Sequence, residues 1–336
     1  VPGINDDALI AAGNAVTVDA AQAVRNLNNG GGVNIDAFLL TLSGAGSTTN
    51  TGTINVGSAS TAALQVSAGH NIANTGGIIN IANGSVLNQF GSTITGGTIS
   101  TTGTGKVVGF NDNSNFLTGV TLNGTLDLAT ATGIERVAGG LTLNGAVNIN
   151  NNSVLSFNGD QTLSGTGSIE LGNTGASNRA LGLEGNTTLT IGSNIVVRGE
   201  NGTLGQAYLS GGTQSLINNG RISADVSGGT FNLAPSHGVT NNGVLEAKNG
   251  GTLVLNANIT GTVGSHIDVG AGSTILQNGI GLNGVINTAG GGSFRAANSN
   301  SNTLTAATFN GTLDLATATG IERVAGGLTL NGAVNI

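Results

Sequence analysis

Sixteen carboxylates, nine Lys or Arg and three His are nearly all the acid–base chemistry that these 336 residues offer, and Cys, Met and Trp are absent. Clustered carboxylates with Arg or Lys beside them on one face could cleave a polysaccharide, one group as general acid and another as base. Most acids here are spread thinly along the chain, at Asp112, Asp127, Asp160, Glu170, Glu184, Glu200, Asp225, Glu246 and Asp268. The one adjacent pair is Asp6-Asp7, close to the start. Glu246 and Asp268 stand 22 residues apart and would stack in a chain that coils with that period; the plainer expectation is two solvated acids on outer loops. Glu135-Arg136 and the identical Glu322-Arg323 read as local ion pairs in a loop.

Other chemistry finds less. His70, His237 and His266 are far apart and lack the His-x-x-x-His spacing of a zinc site, and a thiolate site or disulfide is impossible without Cys. Gly279 to Gly284 (GIGLNG) has the glycines of a dinucleotide loop but no helix after it to face a phosphate. Gly103-Thr104-Gly105-Lys106 continues with Val107, so it is no phosphate loop. A net charge of −7 argues against nucleic acid. Tyr208 and the eight Phe read as core plugs or end-of-strand fillers rather than a sugar-stacking groove. The sequence thus predicts no catalytic, cofactor-binding or metal-binding residue, no cofactor and no enzyme activity.

What would position such residues is a repeat. Asn123 to Ile149 reads NGTLDLATATGIERVAGGLTLNGAVNI, and Asn310 to Ile336 is identical over 27 positions at an offset of 187. Upstream, LTGVTL (Leu117–Leu122) faces LTAATF (Leu304–Phe309). With the copy running into the last residue and no Met anywhere, the sequence reads as a piece of a longer polypeptide carrying further modules of this length. A finer period lies inside: Asn218-Asn219-Gly220 recurs as Asn241-Asn242-Gly243, a spacing of 23, and Gly228-Gly229-Thr230 recurs 22 residues on as Gly250-Gly251-Thr252. Short runs between them alternate apolar with polar, as in Thr188-Leu189-Thr190-Ile191 and Phe231-Asn232-Leu233. Alternation predicts half-buried strands, and the Asn-Gly pairs predict tight turns needing positive φ.

Sixty glycines, only 7% charged residues and 38% hydrophobic ones fit that organisation. Collagen would need Gly at every third place, a helical bundle would need more Lys and Glu, and disorder would need more charge. A period near 22 predicts an all-β fold, a right-handed parallel β-helix (β-solenoid) with coils of about 20–23 residues and roughly 15 coils in one continuous solenoid over 1–336. A hairpin-built β-sandwich is the alternative, and it leaves the 22-residue repeat unexplained. In-register stacking would also set like charges over one another, which accounts for their scarcity. Residues 1–30 are the place for an N-terminal cap. Within them Asp19 to Leu27 reads either as a short helix or as an Ala-rich strand and turn. No apolar run approaches the ~18 residues of a membrane helix.

The strings TNNGVLEAKNGGTLVL (Thr240–Leu255), NIANTGGIINI (Asn71–Ile81) and ITGGTIS (Ile94–Ser100) resemble repeats of giant bacterial surface adhesins of the filamentous-haemagglutinin-like and autotransporter-passenger type. The opening Val1-Pro2 followed by Asp6-Asp7 resembles the entry to such modules. The resemblance implies a right-handed parallel β-helix, export to the cell surface or beyond, and service as a stalk, fibre or adhesin. Partners would then be further copies of the chain, joined head to tail or laterally, and cell-surface polysaccharide or host and neighbouring cells. A β-helical polysaccharide lyase or glycoside hydrolase is the rival. Carboxylates and bases gathered along one groove would favour the rival, and a smooth Thr/Ser/Asn exterior would favour the fibre.

Overall fold

The computed structural model describes residues 3–172, 180–206, 209 and 211–336; Val1, Pro2 and Tyr208 lie outside them. Among the described residues there is no helix, and the chain is a parallel β-solenoid of about 14 turns. It divides into two compact units, Val1–Ser156 and Phe157–Ile336.

In the first unit each coil carries three short strands. One column runs Ala15–Val18, Gly32–Ile35, Thr53–Val56, Ile78–Ile81 and Thr98–Thr101, each strand parallel to the next and in register. Alternation aims every second side chain inward: Val33, Ile35, Ile54, Val56, Ile79 and Ile81 are at most 2% exposed. Each such side chain contributes about 1.5–3 kcal/mol by leaving water. The intervening residues face out. In the duplicated segment Phe116–Asn123 and Ile134–Leu143 each serve two columns as one strand, with a register shift after Thr118.

The second unit repeats the plan. One column runs Ser168–Leu171, Val196–Gly199, Arg221–Ala224, Val244–Ala247, His266–Val269 and Val285–Thr288. Phe157, Phe231, Phe294 and Phe309 fill its core and are fully buried, with Phe294 and Phe309 edge to face at 5.5 Å.

The Asn-Asn-Gly motif is a corner built for close stacking. Asn218 is buried and its Nδ2 donates to Asn241 Oδ1 one coil on at 2.8 Å. Asn219 faces outward and accepts from Asn242 Nδ2 at 2.7 Å. Gly243 follows because a Cβ there would lie 2.1 Å from the Gly220 carbonyl oxygen. The expectation of positive φ holds at Gly84 and Gly250, with φ of 76° and 81°, but not at this corner, where close approach alone requires glycine.

Two other expectations change, and of the two readings open for Asp19 to Leu27 the strand holds. Coil steps are not uniform: partners on adjacent coils are separated by 21, 25 or 28 residues, because turns vary while strand columns keep register. Asp19 to Leu27 forms no helix; it holds the strands Gln22–Val24 and Asn26–Asn29, with Val24 and Leu27 buried. A nine-residue helix is marginal alone, whereas pairing with the next coil satisfies this backbone. Glu135 and Arg136 lie in a strand rather than a loop, so their side chains point to opposite faces.

Candidate functional site

Four of the nine carboxylates that looked scattered in sequence, Glu170, Asp225, Glu246 and Asp268, gather on one sheet of the second unit. Glu246 and Asp268 are register partners on adjacent coils, as a 22-residue coil demands. The same column carries Glu170 and Arg198 in register, and Asp225 just past the strand Arg221–Ala224. Arg198 bridges two coils, with Nη1 3.0 Å from Glu170 Oε1 and Nε 2.7 Å from Asp225 Oδ2. Arg221 pairs with Glu246 from below, and Lys248 Nζ lies 2.6 Å from its other oxygen. Ser223 Oγ donates to that same oxygen at 2.8 Å. Asp268 accepts from Asn287 Nδ2 at 2.7 Å.

The row is sandwiched by depth. Side chains of Asp225 and Glu246 are 3% and 9% exposed, while Arg198, Arg221 and Lys248 stay 41–43% exposed above them. Burial pushes the Glu246 carboxyl up, but Lys248, Ser223 and Arg221 together hold it below its ordinary value. A carboxylate kept ionised in this way is a poor general acid at neutral pH. The row therefore clamps successive coils, and each exposed pair in it contributes about 0–1 kcal/mol.

The remaining candidates do not converge. Asp7 is held below its ordinary pKa by Arg25 at 2.9 Å and by Asn26, and Asp6 accepts from the Gly3 amide at 2.7 Å. His70 is buried with Nε2 3.0 Å from Thr48 Oγ1, and burial lowers its pKa; His237 and His266 are exposed elsewhere. Among the described residues no three His, Asp or Glu are placed to hold a metal ion. Gly281–Leu282 is a two-residue strand within GIGLNG, and Lys106 of the other glycine loop reaches Asp127 at 2.6 Å. Phe90 and Phe110 follow strand ends and stack at 3.9 Å, Phe116 lies under the Arg136 guanidinium at 4.3 Å, and Phe38 is 42% exposed.

Glu135 is a residue whose setting sequence reasoning missed. It is not ion-paired: it is fully buried and neither carboxylate oxygen accepts a hydrogen bond. Burial alone pushes its carboxyl well above the ordinary range. Its duplicate Glu322 is less enclosed, and burial raises it to about 7 against the opposing backbone amides of Arg323 and Leu304 and the Gln277 amide.

The first unit presents a different surface. Its column from Gly32–Ile35 onward puts out Thr53 and Asn55, Ile78 and Asn80, Thr98 and Ser100, Thr121 and Asn123, then Thr142 and Asn144, with no charge among them. Asn55 Nδ2 donates to Asn34 Oδ1 at 2.8 Å and Asn80 Nδ2 to Asn55 Oδ1 at 2.9 Å. Two coils further, Asn144 Nδ2 donates to Asn123 Oδ1 at 2.9 Å.

No protein-family model matches the chain, and no curated protein matches it. Among solved structures it is similar to the crystal structure of a TibC-catalyzed hyper-glycosylated TibA fragment, at 15% identity and a TM-score of 0.36, over 99% of this chain and 100% of that one. Among the described residues no helix is long and apolar enough to cross a membrane.

Proposed function

We propose that this chain is a structural and interaction segment of a repetitive bacterial surface or matrix protein, secreted to the cell exterior and built as a stiff spacer or fibre. The observation that carries the reading is where polarity is spent. Amides and ion pairs run from coil to coil, and the first unit's described outer column is uncharged. Such a stack gains rigidity from every added coil and needs no disulfide. Partners are other copies of the chain, joined head to tail or laterally, and cell-surface polysaccharide. Electron micrographs of the purified protein test the assembly. Filaments with a repeat tied to the 187-residue module are expected, and discrete short rods at every concentration would refute self-association.

The row Glu170–Arg198–Asp225–Arg221–Glu246–Lys248 supports a second reading, a polysaccharide lyase or hydrolase on the second unit. The salt-bridged state of Glu246 and Asp225 weighs against it. Incubation with uronate-containing and neutral polysaccharides is expected to release no unsaturated or reducing ends. Release that disappears in Glu246→Gln would establish the enzyme instead.

A further inference from the structure

The outer asparagine column of the first unit has one break. Asn34, Asn55 and Asn80 form a continuous amide ladder, Asn123 and Asn144 continue it, and Ser100 occupies the rung between. Serine is shorter by a carboxamide, so the two ladder ends do not meet across it. Each rung donates from Nδ2 to the Oδ1 of the preceding coil, which fixes what the break exposes. On the lower rim, Asn80 has spent its Nδ2 on Asn55, and its Oδ1 accepts from no described side chain. On the upper rim, Asn123 has spent its Oδ1 on Asn144, and its Nδ2 has no described partner. One acceptor and one donor thus face each other two coils apart, about 9–10 Å, the span that a single amide rung fills.

The break opens beside a groove of about 210 Å³ lined by Asn55, Asn80, Ser100, Ser58, Ala82 and Thr102. Its polar groups are uncharged amides and hydroxyls. Ser100 and Thr102 make no side-chain hydrogen bond to another described residue. This is a lining for a neutral, hydroxyl-bearing ligand about the size of one sugar ring.

We propose that the missing rung is a binding site for the acetamido group of an N-acetylated sugar. The ligand N–H donates to Asn80 Oδ1, its carbonyl accepts from Asn123 Nδ2, and the sugar ring lies in the groove against the hydroxyls of Ser100 and Thr102. A trans secondary amide presents its donor and acceptor in opposite directions, as a ladder rung does. A sugar hydroxyl in the same place could not reach both rims. The inference rests on the polysaccharide-partner part of the function proposed above and names the chemistry of that partner.

Titration calorimetry of the dispersed chain with triacetylchitotriose and cellotriose tests it. Two added hydrogen bonds amount to roughly tenfold in affinity, so the acetylated trimer binds at least about tenfold tighter than cellotriose. Ser100→Asn completes the ladder and loses that binding at least about tenfold, while Ser100→Ala keeps the gap and stays within about threefold. Asn123→Asp retains the acceptor for Asn144 but removes the donor, and it weakens binding independently of how well Ser100→Asn folds. Equal affinity for the two trimers, no binding of either, or unchanged affinity in Ser100→Asn would each overturn the proposal. Failure of the fibre reading in micrographs would leave these affinities unaffected, so the two tests separate.

Discussion

Asn50 offers a direct measure of how much the internal amide ladder holds the coils together. It is fully buried, accepts from Asn29 Nδ2 at 2.8 Å, and donates from Nδ2 to Asn74 Oδ1 at 2.7 Å. Asn50→Ala removes both bonds, worth about 1 kcal/mol each net, together with a longer, weaker one from Nδ2 to the Ile78 carbonyl at 3.4 Å. Asn29 keeps its second acceptor, the Thr53 carbonyl at 3.1 Å. The Asn74 side-chain oxygen Oδ1 keeps nothing, and stranding a buried acceptor costs about 1–3 kcal/mol more. The expected loss is about 3–5 kcal/mol, confined to neighbouring coils because a solenoid's stability is summed from nearest neighbours. Hydrogen exchange on peptides spanning 47–56 and 71–81, read beside urea unfolding, measures it. Asn50→Asp sharpens the test: it keeps the acceptor but sets a carboxylate against Asn74 Oδ1. At pH 7 it should cost more than Asn50→Ala and recover on acidification as the carboxyl gains a proton. A loss below about 1 kcal/mol in Asn50→Ala, or equal losses in the two variants at pH 7, would refute the ladder as a source of stability.

Glu135 has a folded pKa raised by burial, so the fold's stability is complete below the ordinary Glu value and falls as pH rises through the raised one. Glu135→Gln should remove that loss from thermal melts taken as a pH series that starts below the ordinary Glu value and runs upward. On the charged row, Arg198→Ala leaves the 3%-exposed Asp225 carboxylate without its partner and should cost about 1–3 kcal/mol in urea unfolding. Glu170→Ala, losing the exposed end of the same bridge, should cost under about 1 kcal/mol. Gly243→Ala forces a Cβ against the Gly220 carbonyl and should cost about 1–3 kcal/mol or more. Gly264→Ala meets no atom within 4 Å and should cost only the ~1–2 kcal/mol of its left-handed backbone, a ranking that melts of the two variants check.

Much of the fold could be read from the chain because coil stacking writes its period into sequence. The Asn-Asn-Gly spacing of 23 is the separation of hydrogen-bonded Asn218 and Asn241, and the 22 residues between Glu246 and Asp268 are one coil. Where turns lengthen, the period blurs. Glu170, Arg198 and Asp225 are 28 and 27 residues apart, so nothing in the sequence placed them together. Glu135 beside Arg136 suggests a pair because adjacent opposite charges usually do, but strand alternation sends one inward and one out. The gap at Ser100 was hidden by uneven spacing, since Asn34, Asn55 and Asn80 are 21 and 25 residues apart. The glycine at the Asn-Asn-Gly corner was anticipated for the wrong cause, turn conformation instead of contact with the coil beneath.

The amide columns also carry a direction. In the buried ladders the Nδ2 groups point toward higher-numbered coils, from Asn29 to Asn50 to Asn74 and from Asn218 to Asn241. In the outer ladders they point the other way, from Asn80 to Asn55 to Asn34 and from Asn331 to Asn310 to Asn287. The inner and outer sets of side-chain dipoles therefore oppose one another. A cut between any two coils bared by these columns would leave inner donors and outer acceptors on one surface, and the reverse on the other. Two surfaces of the same kind would set donor against donor and could not mate. Were copies to join end to end as proposed, polarity of this sort would make the joint one-way, with each copy facing as its neighbour does.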